Sequence, residues 1–210
     1  MYQMKILGRR SCRWLCRETM KKKSVKYATF GRLFSISLSA VALSGCLFSR
    51  EIPEERYVRA DLFVDQGAEE LRQMHFEEAK RFFELAADLA PLAAAKDGLG
   101  CVELLRGDVA KAVSLFEEAY QMDRTYDEAM LNLALAYEVR GDSDRARDIY
   151  LEYLNKYPDS APARNNLAAL EYERGGGRIE VLHALTKAAM LAPNRVLSQN
   201  IVVLRRSEEN

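Results

Sequence analysis

The sequence predicts an all-α fold in which helical hairpins stack side by side as a solenoid. The main observation is a set of residue columns that recur at a period of 33 or 34 residues, the signature of a repeat architecture. An alanine column contains Ala79, Ala112 and Ala146. An aromatic column, four residues later, contains Phe83, Phe116 and Tyr150. A column of small residues lies upstream and contains Gly67, Gly100, Ala134 and Ala168.

Each repeat predicts two amphipathic helices joined by a tight turn. Gly107-Asp108 and Gly141-Asp142 are typical of that turn, because Gly adopts the left-handed cap and Asp can cap the next helix. Pro91 and Pro158 close two of the units, since Pro cannot continue a helix. The small residues let two helices approach closely, and the aromatic column fills the space between hairpins.

The fourth unit departs from this pattern at its turn, where residues 175–177 are all Gly and one extra residue is present. Val181, Leu185 and Ala188 then resume the second-helix columns, and Pro193 ends the unit. Residues 195–206 carry apolar side chains at spacings that predict a helix capping the open end, namely Val196, Leu197, Ile201, Val202 and Leu204. We therefore expect about four hairpins over residues 60–194, followed by a capping helix and tail over residues 195–210.

These columns resemble the tetratricopeptide repeat, a family of right-handed superhelical solenoids that bind proteins and have no catalytic residues of their own. The bulky first column departs from the family pattern, since it holds Phe63, Lys96, Met130 and Arg164. The resemblance implies a concave groove formed by the first helix of each hairpin, suited to a peptide or helix. The implied groove residues are Val64, Ala68, Leu71, Asp97, Cys101, Leu104, Leu131, Leu135, Glu138, Asn165, Ala169 and Tyr172. Packing between hairpins is the alternative role for any one of them.

Some members of the family clamp a C-terminal carboxylate with basic and amide side chains. The corresponding positions here hold Val64, Ala68, Gly98 and Glu128, and only Asn132 fits such a clamp. The resemblance therefore argues against a carboxylate-clamp partner.

The first 45 residues have the pattern of a secretory signal peptide. Residues 21–23 are all Lys after Met20, which resembles the natural start, and residues 33–43 form an apolar run too short to span a membrane. Leu43-Ser44-Gly45-Cys46 resembles the lipobox of bacterial lipoproteins, which implies cleavage before Cys46 and lipidation on its sulfur. Leu47 implies export to the outer membrane, and residues 46–59 would form a lipidated tether. An uncleaved anchor and a Cys46–Cys101 disulfide are the alternatives.

Charge and composition argue against several classes of function. Residues 1–45 hold ten bases and one acid, so the chain from residue 46 onward holds 21 bases and 30 acids, a net charge of −9. An acidic domain argues against nucleic-acid binding. His75 and His183 lack the partners of a catalytic set or metal site, and no phosphate-binding loop is present, so we expect no enzyme, cofactor, metal or small-molecule substrate.

Together these features predict a periplasm-facing, outer-membrane-anchored adaptor that binds protein partners. Small tetratricopeptide lipoproteins that help build pilus or secretion channels are similar in architecture. A regulator of a cell-wall hydrolase or synthase and a purely structural lipoprotein remain open as alternatives.

Overall fold

The computed structural model describes residues 52–191 and 195–206, and within them the fold is entirely helical. The helices are α1 (Glu54–Arg72), α2 (Phe76–Leu89), α3 (Ala93–Arg106), α4 (Val109–Met122), α5 (Asp127–Arg140), α6 (Ser143–Lys156), α7 (Ala161–Glu173), α8 (Arg178–Leu191) and α9 (Arg195–Arg206). No helix among the described residues has both the length and the apolar character needed to cross a membrane. The signal segment, Cys46 and Pro193 lie outside the described residues.

The helices pair in chain order as four hairpins, and α9 packs on α8 at the end of the stack. The predicted all-α solenoid of four hairpins and a capping helix is confirmed. First helices of successive hairpins also contact each other, and they do so more than successive second helices do. The stack therefore curves toward α1, α3, α5 and α7, which we call the concave side.

Within the range 46–59, which is predicted to form a tether, α1 begins at Glu54. Pro53 occupies the N-cap position, and Glu54 and Glu55 lie in the first turn, where acids stabilise the positive end of the helix dipole. Tyr57 and Ala60 pack into a small core cluster with residues of α2 and α3, which extends the helix N-terminal to the repeat columns.

All four hairpin turns share one backbone arrangement. Gly107, Gly141 and Gly175 have φ of 96°, 91° and 90°, and each turn is closed by two hydrogen bonds back to the first helix. The first turn has the same bonds but places Met74 at φ 66°. The predicted Gly caps are confirmed. The Asp caps are confirmed only in part: the Asp108 carboxylate accepts from the Lys111 amide, whereas the Asp142 carboxylate bonds Arg140 instead.

The aromatic column holds adjacent helices in register. Phe83 is fully buried, and its ring lies so close to two glycines that an added Cβ would come within 2.8 Å of it at Gly67 and within 2.3 Å at Gly98. Phe116 lies in the same way against Gly100, where an added Cβ would come within 2.5 Å. The small-residue column is therefore set by contact with these rings, which fixes the spacing of the helices on the concave side.

Candidate functional site

The predicted groove residues lie on the concave helices, and most of them are enclosed. Eight are buried, namely Ala68, Leu71, Asp97, Cys101, Leu104, Leu131, Leu135 and Asn165. Val64, Glu138, Ala169 and Tyr172 are partly exposed. Leu131 and Leu135 belong to the central core cluster together with Phe116 and Tyr150, so charged substitutions there would disturb the fold and could not test binding alone.

Asp97 on α3 is a fully buried carboxylate held by two neighbouring side chains. The Asn132 Nδ2 donates to both of its oxygens, at 2.9 and 3.1 Å, and the Tyr126 hydroxyl donates at 3.2 Å. Burial raises the pKa of Asp97 to about 7; these two hydrogen bonds oppose the rise, and the nearby Glu128 carboxylate adds to it. A buried carboxylate with amide and hydroxyl partners but no cation is a polar centre within the concave side.

Asn132 belongs to a column of amides that repeats every 34 residues along the first helices. Its other members are Asn166 on α7 and Asn200 on α9, and all three side chains are at most 3% exposed. The Oδ1 of Asn132, the Nδ2 of Asn166 and the Oδ1 of Asn200 each lack a hydrogen-bond partner. Gly98 precedes Asn132 at the same period, where the Phe83 ring leaves no room for a side chain.

The C-terminal end of this column is a chain of hydrogen-bonded amides. The Asn200 Nδ2 donates to the Asn165 Oδ1 at 2.6 Å, and the Asn165 Nδ2 donates to the Asn166 Oδ1 at 3.3 Å. The chain joins α7 to the capping helix and leaves the outermost amide atoms without partners. Buried polar atoms without partners are uncommon, because each costs about 1–3 kcal/mol, so the column is a costly feature of the concave helices.

Glu138 marks the C-terminal half of α5. The Tyr150 hydroxyl donates to its carboxylate at 2.9 Å, and Glu173 on α7 lies close enough to repel it. Burial is the main reason that the pKa of Glu138 rises to about 7. The concave side thus carries acids toward both ends of its helices.

Sequence reasoning included Asp97, Glu138 and Asn165 in the groove but did not recognise Asn166, Asn200 or Tyr126 as part of it. The 34-residue spacing of the three asparagines was the signal that could have found the column.

His75 contacts Glu70 at 2.8 Å beside the first turn, and His183 is exposed on α8, far from these residues in the repeat. Over residues 52–191 and 195–206, no group of three or more His, Cys, Asp or Glu is arranged to hold a metal ion.

Residues 103–170 match the tetratricopeptide repeat. This tetratricopeptide segment spans α4, α5 and α6 and parts of α3 and α7, so it includes Asn132, Glu138 and Asn166. No curated protein matches the chain in sequence.

Solved tetratricopeptide structures share the fold at low identity. PilF of Pseudomonas aeruginosa is 18% identical, with a TM-score of 0.65 over 74% of this chain and 71% of PilF. YrrB is 20% identical, with a TM-score of 0.54 over 67% of this chain and 73% of YrrB. MamA is 19% identical, with a TM-score of 0.53 over 63% of this chain and 77% of MamA.

These likenesses show the fold. YrrB is described as a tetratricopeptide protein with an unusual peptide-binding site. Tetratricopeptide domains are protein-interaction scaffolds, and they are generally not enzymes. The chain shares this fold, with polar residues on its concave side.

Proposed function

We propose that this chain is a lipid-anchored adaptor of the bacterial cell envelope, which binds a protein partner along its concave side and holds it at a membrane. The observation that carries the proposal is the stack of four hairpins, whose first helices form a concave side. Val64, Glu138, Ala169 and Tyr172 on these helices are partly exposed, so a partner can contact them. A concave side of this kind suits a polypeptide with apolar anchors.

The anchor and the location come from the N-terminal sequence. A basic start, a short apolar run and Leu43-Ser44-Gly45-Cys46 together match a lipoprotein signal. Each buried methylene of an acyl chain contributes about 0.8 kcal/mol, so two or more chains on Cys46 would hold the domain stably. Confinement to a surface raises the effective concentration of the domain for membrane partners, which suits assembly of a pilus or secretion channel.

Partner binding is tested at the partly exposed residues of the concave side. We expect Ala169→Arg combined with Tyr172→Ala to keep the helical circular dichroism spectrum and to reduce the cross-linked partner recovered from envelope fractions by about tenfold or more, as for the loss of a central aromatic contact. Leu151→Arg combined with Asn155→Ala, on the exposed face of α6, is the matched control. Equal recovery by the two paired variants would contradict a concave binding site.

The anchor is tested by intact mass of the protein purified from membranes of its native host. We expect a species that begins at Cys46 and carries added acyl mass, and we expect Cys46→Ser to abolish it. A full-length, unmodified and soluble species would contradict the location and leave only the binding function.

A further inference from the structure

The outer face of α8, opposite its buried column, is apolar where the other second helices are polar. In the register set by Phe83, Phe116, Tyr150 and Leu185, the outer positions of α2, α4 and α6 hold Glu77, Arg81, Glu84 and Asp88, then Ala110, Ser114, Glu117 and Gln121, then Asp144, Asp148, Leu151 and Asn155. The same positions of α8 hold Ile179, His183, Thr186 and Met190. Ile179 and Met190 are 76% and 80% exposed, more than any other large apolar side chain that the structure describes.

The four outer residues of α8 have the spacing of a coiled-coil seam, with steps of four, three and four residues. The seam points away from the domain, because Val181, Leu185 and Ala188 on the opposite face are buried. Leu182 and Ala189 border the seam on one side and are partly exposed. The outer face of α8 therefore has the pattern of a surface that packs against another helix.

This seam is complementary to itself when two copies of α8 run antiparallel. A two-fold axis between residues 184 and 185 places Ile179 of one copy against Met190 of the other. The same axis places His183 against Thr186, so each seam residue of one copy faces a seam residue of the other. Both highly exposed apolar side chains leave water in this arrangement, and each does so twice by symmetry.

The charges beside the seam also favour the antiparallel arrangement. Glu180 and Lys187 lie on the same flank, are exposed, and form no ion pair with any residue of 52–191 or 195–206. Antiparallel helices bring like flanks together, so Glu180 of each copy meets Lys187 of the other. The Glu180 carboxylate lies near Gly177 in the single copy, and both residues are exposed, so the side chain can turn toward a partner. A parallel pair would instead bring Lys187 against the flank of Leu182.

We propose that α8 joins two copies of this chain as an antiparallel pair of helices, with Ile179 and Met190 as apolar anchors and with reciprocal ion pairs between Glu180 and Lys187. The surface belongs to a second helix, so the dimer leaves the concave side open and goes beyond the proposed function. A helix of 14 residues is about 21 Å long, so the pair buries less than a standard interface. The dimer is accordingly weak, with a Kd of about 1 μM or higher.

The first test measures the dimer constant by sedimentation equilibrium. The full-length protein carries Cys46→Ser in every sample, so that no acyl chain contributes to association. We expect Ile179→Asp combined with Met190→Asp to weaken the dimer about tenfold or more, because the two anchors then become charged. Leu151→Asp combined with Asn155→Asp adds the same charge to the exposed face of α6 and should leave the constant within about twofold.

Exchange of the flanking charges tests the register of the pair. Glu180→Lys and Lys187→Glu should each weaken the dimer about threefold or more, because like charges then meet at both ends. The two variants change the net charge in opposite directions, so overall charge cannot explain a loss that they share. The doubly exchanged chain restores both ion pairs and should return to within about twofold of the original. Thermal midpoints of all variants separate lost association from lost folding.

Cross-linking reads the same register without relying on affinity. In chains whose Cys12, Cys16 and Cys46 are replaced by Ser, a mixture of Ile179→Cys and Met190→Cys proteins should be joined by a short bis-maleimide. Neither protein alone should be joined, because equivalent residues of the two copies lie about 16 Å apart along the helices. The remaining cysteine, Cys101, is buried.

A monomer at every concentration, or a dimer that the aspartate pair does not weaken, would overturn the proposal. Failure of the double charge exchange to restore the dimer would overturn the antiparallel register. Flotation with vesicles of phosphatidylethanolamine and phosphatidylglycerol examines the other occupant of an apolar face. A monomer that floats only when Ile179 and Met190 are intact would assign the face to lipid and would also overturn the proposal.

Discussion

The contact between Gly98 and Phe83 predicts that a single methyl group destabilises the domain. A Cβ built at Gly98 would lie 2.3 Å from Cε1 and 2.5 Å from Cδ1 of Phe83, whereas ordinary contacts are 3.4–4 Å. The ring would have to move by more than about 1 Å. The ring cannot move toward α1, because Gly67 of α1 already lies against it: a Cβ added at Gly67 would lie 2.8 Å from Cε1 of Phe83. Gly98→Ala therefore forces strain into a fully buried site.

Two opposing terms set the size of the effect. Overpacking a buried site costs typically 1–3 kcal/mol, and a clash this short lies at the upper end of that range. Replacing Gly by Ala within a helix stabilises the helix by about 1 kcal/mol, because Ala has the higher helix propensity. The net expectation is a loss of about 1–2 kcal/mol in the free energy of unfolding, which corresponds to a fall of roughly 3–8 °C in Tm for a domain of this size.

Urea denaturation followed by circular dichroism measures the change, and a double-mutant cycle with Phe83→Leu isolates its cause. In the Phe83→Leu background the ring is absent, so Gly98→Ala should be neutral or stabilising. If Gly98→Ala stabilises the wild-type protein, the helix propensity term dominates and the contact argument is wrong.

Three further expectations concern the turns and the buried acid. Met74→Gly should stabilise the protein by about 0.5–1 kcal/mol because it removes a left-handed strain at φ 66°, and unchanged urea midpoints would contradict this. Gly107→Ala should cost about 1 kcal/mol for the same reason, since an added Cβ there meets nothing within 4 Å, and a gain in Tm would disprove it. Burial raises the pKa of Asp97 from 3.8 to about 7 in the folded protein. Between about pH 4 and pH 7 the folded protein therefore keeps a proton on Asp97 that the unfolded chain releases, and the stability that this proton confers is lost as the pH rises through that range. Asp97→Asn should flatten that part of the pH–stability profile measured by thermal melts, and an unchanged profile would show that Asp97 ionises normally.

The sequence predicts the hairpin number and the turns because repetition makes weak local signals reinforce one another. Ala, aromatic and small-residue columns agree over four units, and the Gly-Asp pairs specify turns by backbone geometry alone. The left-handed conformation of Met74 could not be anticipated, since no Gly marks its turn. The start of α1 was missed because Tyr57 and Ala60 are fixed by tertiary contacts outside the repeat columns.

The candidate site was predicted less completely than the fold. Helical phase placed Asp97 and Glu138 on the first helices, but it could not tell which side chains would engage them. Lys96 and Arg106 lie on the same helix as Asp97, and sequence alone gives no reason for their pairing with Glu118 and Glu77. The polarity of the concave side depends on those distant choices, which only the packed hairpins determine.

The amide column also bears on how this protein can change over generations. Leucine at position 132 would remove an unpartnered oxygen, but it would also remove the amide that donates to both oxygens of the buried Asp97 carboxylate. Leucine at position 166 would likewise remove the oxygen that accepts from the Asn165 amide. A buried polar group that loses its partner costs more than a satisfied one contributes, so screens for heat-resistant variants should seldom recover leucine at either position.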